Sequence, residues 1–100
     1  MQTFAIRRRH GWADAQELEK AAGRSAQVGT EEMPDRVRWI RTYVVQEEDG
    51  TLGTVCIYQG TDAEAIREHA RRAGMPADEV IPIGTTVIIN ADPQEEAVAA

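Results

Sequence analysis

The sequence predicts one α+β domain, an antiparallel sheet with helices on a single face, and three observations carry that expectation. Two β-rich segments, Val37 to Val45 and Leu52 to Tyr58, flank the polar turn Glu47-Glu48-Asp49-Gly50 and read as a hairpin. A strand pattern followed by a helix pattern precedes this hairpin, and a helix followed by a further β-rich segment comes after it. With 100 residues, 42% of them hydrophobic and 28% charged, the chain is sized for one core and is far from the composition of disorder.

Taken in order, Thr3 to Arg8 alternates Phe4 and Ile6 with Thr3, Ala5 and Arg7, the period of a half-buried strand, and Gly11 is expected to end it. From Ala13 the apolar positions Ala15, Leu18, Ala22 and Ala26 recur at helical spacing, with Asp14 and Glu17 as the opening signal. That helix has to stop before Met33, because the residue before Pro34 is pushed out of the helical region. After the hairpin, Thr61 and Glu64 form a capping-box pattern for a second helix whose packed side is Ala65, Ile66, Ala70 and Ala73. Gly74 and Pro76 stop it. Glu79 to Ile89 returns to β composition in two segments, with Pro82 favouring an edge and Gly84 a kink. Residues 1–90 are expected as the single domain and 91–100 as an acidic, alanine-rich tail.

The order β-α-β-β-α-β is that of the ferredoxin-like plait, a four-stranded antiparallel sheet covered by two helices on one face. Period 2 along the hairpin assigns Ile40, Thr42, Val44, Val55 and Ile57 to the helices and Trp39, Arg41, Tyr43, Thr54, Cys56 and Tyr58 to the open face. An aromatic-rich open face on so small a chain predicts a homodimer, a dimeric α+β barrel in which two open faces enclose a space. Arg7, Trp39, Arg41, Tyr43, Cys56 and Tyr58, with His10 at the end of the first strand, are then the candidate ligand-binding residues.

The charge balance excludes other classes. With 17 acidic against 11 basic residues the net charge is −6, which opposes nucleic acid and anionic membrane as partners. Arg7-Arg8-Arg9 reads as strand-end charges paired with nearby carboxylates rather than as an RNA surface, since the basic glycine-aromatic motif of RNA-recognition modules is missing. No apolar run reaches a membrane span and no signal-peptide core opens the chain, and a single cysteine fits a reducing compartment, so the expected location is cytoplasmic. Cys56 reads as a small buried hydrophobe, with Arg41 the cation that would activate it. His69 reads as structural, at the edge of the packed side of the second helix.

Over roughly residues 3 to 83 the chain resembles a family of small ferredoxin-like proteins of unknown function that includes a bacterial nickel-binding type. The resemblance rests on the strand Trp39 to Val44, Cys56-Ile57-Tyr58, the helix start Ala63-Glu64-Ala65-Ile66-Arg67, and Gly74-Met75-Pro76-Ala77-Asp78. It implies the plait, a dimer and nickel as cofactor, for which His10 and Cys56 are the candidate donors. Against nickel stand Arg41 and Arg7 to Arg9 on strands where the nickel-binding type carries histidines, because a guanidinium repels a divalent ion and cannot ligate it. The functional expectation is a non-catalytic protein that binds a small ligand or a nickel-like metal in the open-face pocket of a homodimer. The alternative is a cofactor-independent enzyme of the dimeric α+β barrel type, an isomerase, cyclase or monooxygenase, with Tyr43, Tyr58 and His10 orienting substrate or moving a proton.

Overall fold

The computed structural model describes residues 1–93 and has the element order β1 (Gln2–Trp12), α1 (Ala15–Gln27), β2 (Val37–Gln46), β3 (Leu52–Gly60), α2 (Ala63–Ala73) and β4 (Glu79–Pro82). The four strands pair antiparallel in the spatial order β2-β3-β1-β4. This is the ferredoxin-like plait that the sequence predicts. The expected tail 91–100 lies outside the described residues from position 94 onward.

Local chemistry accounts for the helices. Asp14 caps α1 by accepting from the Glu17 amide at 3.0 Å, and Glu17 returns to the Ala13 amide at 3.0 Å. A wider π-type turn, Val28–Glu32, continues α1 and closes at Met33, ahead of Pro34 as expected. The cap of α2 is Asp62 rather than Thr61: its carboxylate accepts from the Ala65 amide at 2.8 Å, so the capping box read from Thr61 and Glu64 is shifted by one residue. Gly74 ends α2 in the left-handed conformation, at φ 70°.

The core lies between the sheet and the helices and consists of Phe4, Ile6, Val28, Met33, Val37, Cys56, Tyr58, Ala65, Ile66 and Ala73. Withdrawing a side chain such as Ile6 or Ile66 completely from water contributes about 2 kcal/mol.

Two bulges rearrange the strands relative to the period-2 reading. In β1 the pairing with β3 slips between Arg8 and Trp12, and His10 takes the left-handed conformation, at φ 52°. The strand therefore passes through Gly11 instead of ending there. In β2 the pairing slips between Trp39 and Arg41, which leaves Ile40 as the extra residue. Val37 and Trp39 consequently join the helix side while Arg41 and Tyr43 stay on the open face, as expected for the latter two. On β3 the assignment is inverted: Thr54, Cys56 and Tyr58 are buried toward the helices, opposite Arg8, Ile6 and Phe4, and Val55 and Ile57 face the other way. Burial decides this, since the β3 residues paired with Phe4 and Ile6 must share their core face.

The last β-rich segment also differs from expectation. Only Glu79–Pro82 pairs, along the edge of the sheet, and the Ile83 amide donates to the Thr3 carbonyl. The following residues leave the sheet as a strap, and Asp92 reaches Arg41 and Tyr43 on the strand at the opposite edge.

Candidate functional site

The sheet splits the residues singled out in the sequence into three places. Arg41 and Tyr43 lie on the open face, where Asp92 Oδ2 accepts from Arg41 Nη1 at 3.0 Å and the Tyr43 hydroxyl donates to the same carboxylate at 2.9 Å. The guanidinium pKa of Arg41 is raised by its bond to Tyr43 first and by Asp92 second. Arg7 also faces this side, but its Nη2 grips both oxygens of Glu47 at 3.1 Å and its Nη1 donates to the Arg8 carbonyl. The pairing of this arginine with a neighbouring carboxylate agrees with the sequence reading. Arg9 pairs similarly with Glu79.

His10 stands on the β1 bulge at the end of the hairpin. Its Nδ1 lies 3.1 Å from Asp49 Oδ2 and 3.0 Å from Thr51 Oγ1. Two hydrogen bonds from Thr51, with His10 adding to them, hold the Asp49 carboxyl at about 2. Cys56 is far from this corner in register and on the opposite face, 2% exposed, with Thr42 Oγ1 donating to its sulfur at 3.2 Å. His10 and Cys56 are therefore not brought together, and among the described residues no three His, Cys, Asp or Glu side chains converge on a metal position. The described residues therefore do not assemble a donor set for a nickel ion.

Trp39 and Tyr58 form the third place, beside a cavity that Trp39 walls; a second cavity, of about 630 Å³, lies at Arg41, Tyr43 and Asp92. Their rings stack with centroids 5.8 Å apart and planes 5° from parallel, and the ring of His69 packs on Tyr58 at 5.1 Å. Trp39 Nε1 donates to Thr42 Oγ1 at 2.7 Å, which fixes the indole. Between this strand and the end of α1 opens a cavity of about 650 Å³, walled by Val37, Trp39, Ile40, Thr42, Ala26 and Pro34 among others, with Ser25 on its lining. Arg38 and Arg41 line it as well, and among the described residues no carboxylate does.

Ser25 joins the cavity to the buried polar residues behind it. Its Oγ is 2.8 Å from the Tyr58 hydroxyl and 3.4 Å from His69 Nε2, and its carbonyl oxygen is 3.0 Å from the same Nε2. A carbonyl only accepts, so His69 carries its proton on Nε2. Burial lowers the His69 pKa, opposed by the bond to Ser25 and reinforced by the charge of Arg8. Burial likewise pushes the Tyr58 hydroxyl up to about 12, against the pull of Ser25 and Arg8.

Arg8 is fully buried. Its Nε donates to the Pro76 carbonyl at 2.7 Å, while both Nη atoms find no partner, as is also true of Thr54 Oγ1 and His69 Nδ1. No carboxylate pairs with this guanidinium among the described residues. A buried uncompensated cation is costly in a domain this small.

Ser25, Ala26, Thr42, Arg8 and His69 were not among the sequence-based site candidates. Ser25 was detectable in principle, since Leu18, Ala22 and Ser25 follow i, i+4, i+7 on the packed stripe of α1. Arg8 continues the inward alternation of Phe4 and Ile6. Nothing in the sequence marks the Ile40 bulge that turns Trp39 inward.

A four-stranded antiparallel sheet with two helices defines a protein of ferredoxin-like α+β fold. More particularly, a family model described as "Nickel responsive protein SCO4226-like" matches residues 4–83, and the chain belongs to that family. The crystal structure of SCO4226 from Streptomyces coelicolor A3(2) is similar to this structure at a TM-score of 0.66, with 21% identity, covering 85% of this chain and 99% of that one. At that identity the likeness shows the fold. No curated protein sequence matches the chain.

Proposed function

We propose that the protein is a non-catalytic binding protein that holds a small organic ligand in the cavity between α1 and β2. The observation that supports this reading is the cavity itself: about 650 Å³, one wall the flat indole of Trp39, the lining mostly apolar with a few polar groups. Catalysis is the weaker reading of the same place. The imidazole of His69 is not on the lining and uses its Nε2 proton on the Ser25 carbonyl, and among the described residues no carboxylate lines the cavity as a general base. The family name favours a metal-linked role, but among the described residues no donor set for nickel is assembled.

The homodimer belongs to this proposal. Ile81 and Tyr43 are 46% and 42% exposed on the open face, and Val87, Ile88 and Ile89 of the strap are exposed as well. A second copy is the occupant that would cover them.

Native mass spectrometry of tag-free protein tests the binding reading. The expected spectrum shows an organic mass increment that disappears in Ala26→Trp, which fills the cavity from α1. A nickel-sized increment that survives Ala26→Trp would replace the organic ligand by a metal held elsewhere.

A further inference from the structure

The strap that leaves β4 is held at its two ends and packed on neither side between them. The Ile83 amide is bonded to the Thr3 carbonyl, and after it, among the described residues, no backbone hydrogen bond ties the strap to the rest of the chain. The next fixed point is Asp92, whose carboxylate accepts from Arg41 Nη1 at 3.0 Å and from the Tyr43 hydroxyl at 2.9 Å. Between these points Val87, Ile88 and Ile89 are 78%, 71% and 83% exposed, and exposure at three consecutive positions means that no side of the strap is covered by its own subunit. All strands and helices of the plait are complete by Pro82, and the strap lies beyond residues 4–83, the span matched by the family model. Gly84, where an added Cβ would meet nothing within 4 Å, joins the two parts in open space. The strap can therefore leave without dismantling the sheet.

The contact at its far end joins a carboxylate to a guanidinium, and such a contact forms equally well within one chain or between two identical ones. Within one chain it leaves the three apolar side chains in water. Between two chains whose open faces meet, the same contact forms twice by symmetry, and the apolar side chains enter the space between the sheets together with Tyr43 and Ile81, which are 42% and 46% exposed. Residues 84–92 span up to about 30 Å when extended, against about 10 Å between two stacked sheets, so the strap reaches across.

We infer that two copies of this chain exchange their straps: residues 84–92 of each cross the open face of the other, Asp92 pairs with the partner's Arg41 and the partner's Tyr43, and Val87, Ile88 and Ile89 are buried between the sheets. This rests on the homodimer proposed above and goes beyond it, because the cavity of about 630 Å³ lined by Arg41, Tyr43 and the strap is then walled by two chains and incomplete in one.

The test is charge complementation in the full chain, with Arg41→Glu and Asp92→Arg, read as dimer dissociation constants by sedimentation. Either variant alone sets like charges against each other at both contacts of a dimer and is expected to weaken dimerisation at least about tenfold. An equimolar mixture separates the two arrangements. With exchanged straps the mixed dimer holds one native and one reversed pair, both attractive, and its dissociation constant is expected to return to within about threefold of wild type. With each strap on its own chain, every chain in the mixture keeps its own repulsion. A mixture no tighter than the single variants, or single variants as tight as wild type, would overturn the exchange and leave the homodimer standing. A wild-type chain that stays monomeric would overturn the homodimer as well.

Discussion

The two faces of the sheet solve the problem of polar residues in opposite ways. On the open face nearly every charge is answered by a neighbour: Arg7 by Glu47, Arg9 by Glu79, Arg41 by Asp92. On the helix face the polar groups are buried and, among the described residues, several atoms are left without partners, namely both Nη atoms of Arg8, Thr54 Oγ1 and His69 Nδ1. A face that water reaches can carry paired charges at little cost, because exposed ion pairs contribute little and solvent stands in wherever they fail. A closed interior has no such reserve, so each unanswered group there carries its full desolvation cost. The difference is one of solvent access: charges are paired where water reaches and polar groups go unpaired where it does not.

Substitution of one tyrosine on each face breaks this comparison most sharply. Tyr58→Ala on the helix face removes a stacked, hydrogen-bonded core ring and is expected to cost about 3–5 kcal/mol in urea unfolding. Tyr43→Ala on the open face is expected to cost less than about 1 kcal/mol at concentrations where the chain is monomeric. Equal costs would mean that the two faces are not distinct in packing. Next in size is Gly53→Ala. A Cβ there would sit 2.2 Å from Glu47 Oε2, 2.5 Å from the Arg8 carbonyl and 2.7 Å from Arg7 Nη1, so the Arg7–Glu47 pair has to open and the hairpin to shift. A loss of about 1–3 kcal/mol is expected, and a neutral result would show that the pair rearranges freely.

Association separates the faces in another way. Tyr43→Asp puts a charge at the centre of the open face and is expected to turn a dimer into a monomer on sizing, with the fold unchanged by circular dichroism. A dimer that persists would place the interface off this face. The smallest effect expected is on pH dependence. His69 has a lowered pKa in the folded state, so the unfolded chain binds the extra proton first, and stability rises with pH through the ordinary histidine range. The contribution is fully present above about pH 6.5, the unfolded value, and is lost as pH falls from there toward the folded pKa. His69→Gln is expected to flatten the stability profile between about pH 7.5 and 5.5. An unchanged slope would assign that pH dependence to other groups.

The element order, both helix stops and the hairpin turn were legible in the sequence, because caps, glycines and prolines act locally and announce themselves within a few residues. The cap at Asp62 was displaced by one position because aspartate and threonine compete for the same role in adjacent places. The faces were not legible on β3. Its period-2 pattern is sound, but Thr54, Cys56 and Tyr58 are no less compatible with an exterior than Val55 and Ile57 are with an interior, and the tie is broken only by pairing with Phe4 and Ile6. The candidate cavity was legible in part: Trp39 and its neighbour Tyr58 were singled out, on the wrong face, while Ser25 and Arg8 fall on inward stripes of α1 and β1, which mark burial and not what the side chains meet.

The extra residue at Ile40 has a consequence for reading relatives of this chain. Before it, odd-numbered positions of β2 turn inward; after it, even-numbered ones do. A strand aligned by sequence alone to one without the insertion would exchange the two faces from that point on, and a metal-binding histidine in the other chain would be matched to a residue that looks in the opposite direction. Equivalence of ligand positions along this strand thus holds between chains with the same parity, and parity is a property of the pairing rather than of the residue at any single position.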